Sequence, residues 1–142
     1  MVIATRTLKD TKIATGSGAA GGLVTVLVNM NDNTTADSVV LDASALAGHA
    51  NGAKLSITRV WWALIQGTAD DNTGWADIEF VGSSADTKAI NLAGTGHYDG
   101  TAGKIENNAT NAGASSGDLK CNAYGVSGYI LVELRKEVGF TA

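Results

Sequence analysis

The stretch Tyr129-Ile130-Leu131-Val132-Glu133-Leu134-Arg135-Lys136-Glu137-Val138 sets Ile130, Val132, Leu134 and Val138 on one side of an extended chain and Glu133, Arg135 and Glu137 on the other. A period of two is the mark of a half-buried strand, since the faces of a helix repeat about every 3.6 residues. The same test finds further strands upstream. Residues 23–28 are β-branched and apolar on both sides, as in a central sandwich strand. Residues 54–66 carry Ile57, Val60, Trp61, Trp62 and Ile65, and residues 74–81 answer them across a loop at 67–73, so the two read as a hairpin. Within the second of these, Ala76, Ile78 and Phe80 share a core face, and Trp75, Asp77 and Glu79 share a face that is wet or an interface.

Shorter strands are expected at 38–42, 87–92, 104–107 and 118–124. Residues 29–37 read as a polar loop, 43–47 as at most one helical turn, Asn51-Gly52 as a tight turn, and 107–117 as an exposed loop. Residues 2–14 alternate weakly and carry Arg6, Lys9, Asp10 and Lys12, which fits an extended N-terminal arm or an edge strand. About eight short strands without a useful helix describe an all-β chain, an antiparallel β-sandwich with a jelly roll as first choice. No linker interrupts residues 1–142, so one domain is expected.

Composition agrees. The chain has 142 residues with 18 Gly and no Pro, 44% hydrophobic and 17% charged, too apolar for disorder and long enough to bury a core. A net charge of −4 without a Lys/Arg run argues against a nucleic-acid partner. No stretch approaches the roughly 18 apolar residues of a membrane helix, and the first residues lack a signal-peptide core, so a cytosol-like compartment and no membrane partner are expected. Cys121, the single cysteine, alternates with Leu119 on an inward face and reads as a buried thiol.

Three patterns invite a chemical reading, and each fails on context. Gly16-Ser17-Gly18-Ala19-Ala20-Gly21 matches a dinucleotide fingerprint but leads into a β-branched strand, so a pyrophosphate would find no helix N-terminus. Asp70, Asp71, Asn72, Asp77 and Glu79 offer oxygens to calcium without EF-hand spacing, and a solvated turn is favoured. His49 and His97 lie in no pattern with a second ligand or a nucleophile elbow, and the loop 94–100 is explained by turn chemistry. No catalytic, cofactor or metal residue is assigned, and an enzyme is not expected. That leaves Trp61, Trp62 and Trp75. Adjacent Trp61 and Trp62 must point to opposite faces, one into the core and the other under a second layer or toward a partner.

The mixed-charge N-terminal segment, the strand Arg59-Val60-Trp61-Trp62-Ala63, the loop Gly94-Thr95-Gly96-His97-Tyr98-Asp99-Gly100 and the closing Gly128 to Lys136, followed by Val138-Gly139-Phe140, together resemble the head-decoration, or cement, proteins of tailed bacteriophages. The resemblance implies a β-sandwich or jelly roll, commonly a homotrimer, that sits on the outer surface of the capsid and reinforces it. The implied partners are the major capsid protein and further copies of the chain, and the implied location is the virion exterior after assembly in the host cytoplasm. Candidate interface residues are Arg6, Lys9, Lys12, Trp61, Trp62 and Trp75. The rival expectation is a carbohydrate- or receptor-binding module of a phage tail or fibre, using an exposed Trp and the loops 67–73 and 94–100.

Overall fold

The computed structural model describes residues 3–11, 22–47, 55–67, 74–82, 84–108 and 117–137. Its strands are β1 (Ala4–Asp10), β2 (Leu23–Leu41), β3 (Leu55–Gln66), β4 (Trp75–Phe80), β5 (Thr87–Ala93), β6 (Thr95–Tyr98), β7 (Ile105–Glu106) and β8 (Leu119–Lys136), with one 3-10 turn at Ala43–Ala45. Every pairing is antiparallel.

Two long strands organise the rest. The second half of β8 lies between the first half of β2 and β3, while its first half lies between the second half of β2 and β4. The larger sheet therefore runs β1, β2, β8, β3 and then β6 with β7, and the smaller runs β2, β8, β4, β5. Between them lies one core that takes Val24, Val26, Val28, Val60, Ile130, Val132 and Leu134 from the larger sheet and Ala76, Ile78, Phe80, Leu92, Leu119 and Cys121 from the smaller. Counting β2 and β8 once in each sheet gives the strand order of a jelly roll, with its two Greek keys folded over a shared interior.

The polar run 29–37 is not a loop. β2 continues through it, and the register with β8 slips between Met30 and Asn33, Asn33 and Thr35, and Thr35 and Ser38. Asp32 and Asp37 adopt positive φ, which short polar side chains tolerate, and opposite them Gly125 and Gly128 do the same at φ 54° and 129°. Side chains complete the hydrogen bonding that the slipped ladder leaves open. The Asp32 amide donates to Ser127 Oγ at 2.8 Å, that of Gly125 to Thr34 Oγ1 at 2.9 Å, and that of Asp37 to Asn122 Oδ1 at 2.8 Å. This bend carries both strands from one sheet into the other, so the stretches 118–124 and 129–138, expected as separate strands, form one over Leu119–Lys136.

The expected hairpin of residues 54–66 and 74–81 does not form. β3 pairs with β8, β6 and β7, and β4 pairs with β5 and β8. Each offers an apolar side to the core, and these sides meet across the sandwich, so β3 and β4 belong to different sheets. The segment after Gly94 is likewise strand, because β6 adds to the free side of β3. Near the N-terminus, Ala4–Asp10 is extended and forms the outermost strand of the larger sheet.

Lys136 is fully enclosed at the end of β8. Its ammonium donates to the Asp10 carboxylate, to Thr11 O at 2.9 Å and to Ala47 O at 2.7 Å, so all its protons are used. Asp10 also accepts from the Ala47 amide at 2.7 Å. This clamp ties β1, the segment after the 3-10 turn, and β8 together.

Candidate interaction face

Register places five side chains in one row across the larger sheet. Arg6 lies opposite Leu27, Leu27 opposite Leu131, Leu131 opposite Trp61 and Trp61 opposite His97. Strands lie about 4.8 Å apart, so the row is about 20 Å long. It faces outward, since the alternate positions Val26, Val60 and Val132 are buried in the core. Trp61, Leu27 and Leu131 are half-buried by their neighbours alone, and the His97 ring lies flat on the Trp61 indole, with centroids 4.9 Å apart and planes at 9°. The neighbouring row adds Tyr129, 39% exposed, and Ile65 beyond it is 69% exposed. The result is an aromatic and aliphatic face with no protein layer over it among the described residues.

Charge borders this face. Lys9 lies opposite Thr25, which lies opposite Glu133, itself opposite Arg59. Arg59 Nε lies 3.9 Å from Glu133 Oε1, which also accepts from Thr58 Oγ1 at 2.9 Å. Farther along, Glu137 accepts from Ser56 and from Lys104 Nζ, the latter at 2.7 Å. Burial works to raise the Glu137 pKa, but these donors outweigh it and hold the carboxyl below its ordinary range.

The sequence candidates thus separate. Arg6, Lys9 and Trp61 share the outer side of the larger sheet, whereas Lys12 lies outside the described residues. Trp62 points inward, packs on the core and donates its indole N–H to Ala93 O at 3.1 Å. A side chain on Gly96 would strike that ring, since an added Cβ would lie 2.3 Å from Trp62 Cζ2. Trp75 is on the outer side of the smaller sheet, stacked on Tyr124. Leu27, Leu131, Tyr129 and Ile65 were missed as surface residues. For Leu27, Tyr129 and Leu131 the signal was present, because 26–28 and 129–132 are apolar in both phases of the alternation.

The residues weighed for chemistry are placed as follows. Residues 16–21, 70–72 and His49 lie outside the described residues. Asp77, expected on a wet or interface side, is only 1% exposed, because Lys88 Nζ covers it at 3.1 Å and the Asn122 side chain donates to it at 2.9 Å. Glu79 gathers with Asp37 and Asp86, their carboxylate oxygens within 4.8 Å of one another. Lys120 serves this group from within the protein, with Nζ 2.8 Å from Asp86 Oδ2. Its hydrogen bond lowers the Asp86 pKa and raises that of Lys120. Cys121 is buried as expected, and desolvation, reinforced by the charges of Asp77 and Glu79, pushes its thiol up to about 12.

The fold defines a jelly-roll β-sandwich, a class shared by viral coat, lectin and cupin domains. No family model matches the sequence, and no curated protein matches it. Among solved structures, a variant of oxalate decarboxylase from B. subtilis superposes with a TM-score of 0.30 at 11% identity. The superposition covers 99% of this chain and 31% of that one, and at that score it carries no argument about activity.

Proposed function

We propose that this chain is a structural virion protein that binds the outer surface of a phage capsid as a homotrimer and stabilises the shell. The observation that carries the reading is the row Arg6, Leu27, Leu131, Trp61 and His97, an apolar strip across a whole sheet with ion-paired charge along its border. An apolar centre with a polar rim is the anatomy of a protein–protein contact. From Leu27 to His97 the strip serves contact between copies, with Arg6 outside that contact, and burying Trp61, Leu131, Tyr129 and Ile65 supplies its free energy. Arg6 and Lys9, exposed on β1, meet the capsid protein, with the outer edge of that strand, which pairs with no other strand among the described residues, as a second point of attachment. Such a role needs no catalysis. Among the described residues, His97 stacks on Trp61, Asp77 and Asp86 are ion-paired, and the Cys121 thiol is held protonated.

The test combines light scattering on the purified protein with copy counting in intact particles. A trimer present in hundreds of copies is expected. Leu131→Glu should yield a folded monomer, and Arg6→Glu with Lys9→Glu should keep the trimer but lose binding to undecorated capsids. A monomeric wild type, or a handful of copies confined to a neck or tail, would overturn the proposal.

A further inference from the structure

The outer side of the smaller sheet is built differently from the apolar strip. Trp75, the first residue of β4, lies opposite Tyr124 of β8 on one flank and Ala93 of β5 on the other. Tyr124 stacks on the indole with centroids 4.6 Å apart and planes at 23°, which braces the ring from the β8 side. On the β5 side opens a cleft of about 340 Å³, lined by Trp75, Lys88, Asn91, Leu92 and Ala93. That volume lies within the range of small-molecule pockets.

The polar groups converge on the same space. Lys88 Nζ is 3.1 Å from the buried Asp77 carboxylate and lies over a Trp75 ring, 5.7 Å from its centre, so a ligand that stacks on the indole shares that face with the lysine and moves its flexible chain aside. Asn91 lies opposite Asp77, is exposed, and its side chain makes no hydrogen bond among the described residues. It therefore offers two donors and an acceptor, and Lys88 adds donors. Because Asp77 balances Lys88, the lining is close to neutral and selects neither an anion nor a cation.

A ligand for this lining needs an apolar face for the indole, several groups around its edge that both donate and accept, and no net charge. A flat aromatic molecule would stack but leave Asn91 and Lys88 unanswered. A sugar ring meets all three conditions. We infer that the cleft binds a neutral pyranose unit of a glycan, with Trp75 against the C–H face of the sugar and Asn91 and Lys88 hydrogen-bonded to its hydroxyls. The site is independent of the proposed capsid role, because it lies on the opposite outer side of the sandwich and stays open when the apolar strip is covered. In a trimer three such clefts would act together, which converts weak single contacts into firm attachment to a glycan-coated surface.

The experiment uses the full chain on an array of neutral glycans, followed by titration of the free methyl glycoside of the best hit, where valency plays no part. Binding on the array, competed by the free sugar, is expected. Asn91→Ala should weaken the free-sugar affinity about tenfold, the loss of one good hydrogen bond, with an unchanged melting temperature. Trp75→Ala should abolish binding, and Lys88→Met should weaken it. Leu131→Glu should leave free-sugar affinity unchanged, which separates this site from the association face. Failure to bind any neutral glycan, or equal affinity in the Asn91 and Trp75 variants, would overturn the inference.

Discussion

Lys136 and Asp10 meet through a hydrogen-bonded ion pair across 126 positions of sequence, the lysine fully enclosed and the aspartate near the surface. Removing Asp10 strands a buried ammonium, so Asp10→Ala should cost about 3 kcal/mol in chemical denaturation. Lys136→Met removes the charge itself and should cost less, and adding it to Asp10→Ala should recover stability. Equal costs that simply add would show that the pair is not coupled.

Gly128 sits at φ 129° where β8 bends, and an added Cβ would lie 1.9 Å from the Ala63 carbonyl oxygen of the neighbouring strand. Backbone cannot move aside as a side chain can. Gly128→Ala should therefore destabilise by about 3 kcal/mol or more. Gly94, also at positive φ but with nothing within 4 Å, isolates the conformational part. Gly94→Ala should cost only about 1 kcal/mol. Comparable losses at the two positions would remove the steric account of the bend.

The Asp86–Lys120 bridge gives a pH signature. The Asp86 pKa is lowered from 3.8, so its contribution is complete above 3.8 and is lost as pH falls through the lower folded value. That of Lys120 is raised from 10.5, so its contribution is complete below 10.5 and is lost as pH rises through the folded value. Asp86→Asn should lower the melting point at pH 7 by an amount equivalent to about 1 kcal/mol. The gap to the parent protein should close well below pH 3.8. A gap of constant size across the acid range would mean that Asp86 acts through packing rather than charge.

Cys121 supplies a probe of opening. With its pKa at about 12, the thiol should resist iodoacetamide at neutral pH in the folded protein and react at once in guanidinium. The labelling rate under native conditions then measures how often the core around β8 exposes itself. Rapid native labelling would contradict the enclosed position.

The alternation of Ile130, Val132 and Leu134 was enough to place β8 and its inward face, and Ala76, Ile78 and Phe80 did the same for β4. That two expected strands are one was not legible. Gly125 and Gly128 are breakers by composition, and only the pairing of Gly128 with Met30 and the hydrogen bond from the Gly125 amide to Thr34 Oγ1 show that the chain passes through without stopping. The hairpin of β3 and β4 misled because closeness in sequence favours side-by-side pairing, while β8, far along the chain, offered each strand an edge. Alternation fixed that Trp61 and Trp62 oppose each other but not which was outside. Gly96, the residue whose bare backbone admits the Trp62 ring, decides it. Lys136 was readable in principle, since it keeps the inward phase of Leu134, but no local signal announces that Asp10 waits there.

The central position of β8 also bears on synthesis at the ribosome. The strand that joins both sheets is made after all the others, so β1 to β7 emerge without the partner that β2, β3 and β4 share. The pairs β1–β2, β4–β5 and β3 with β6 and β7 can form earlier, but neither sheet is complete until residue 136 is available, a delay in which unpaired edges meet other chains. Sparse charge on those strands makes expression temperature and chaperone supply the expected determinants of soluble yield.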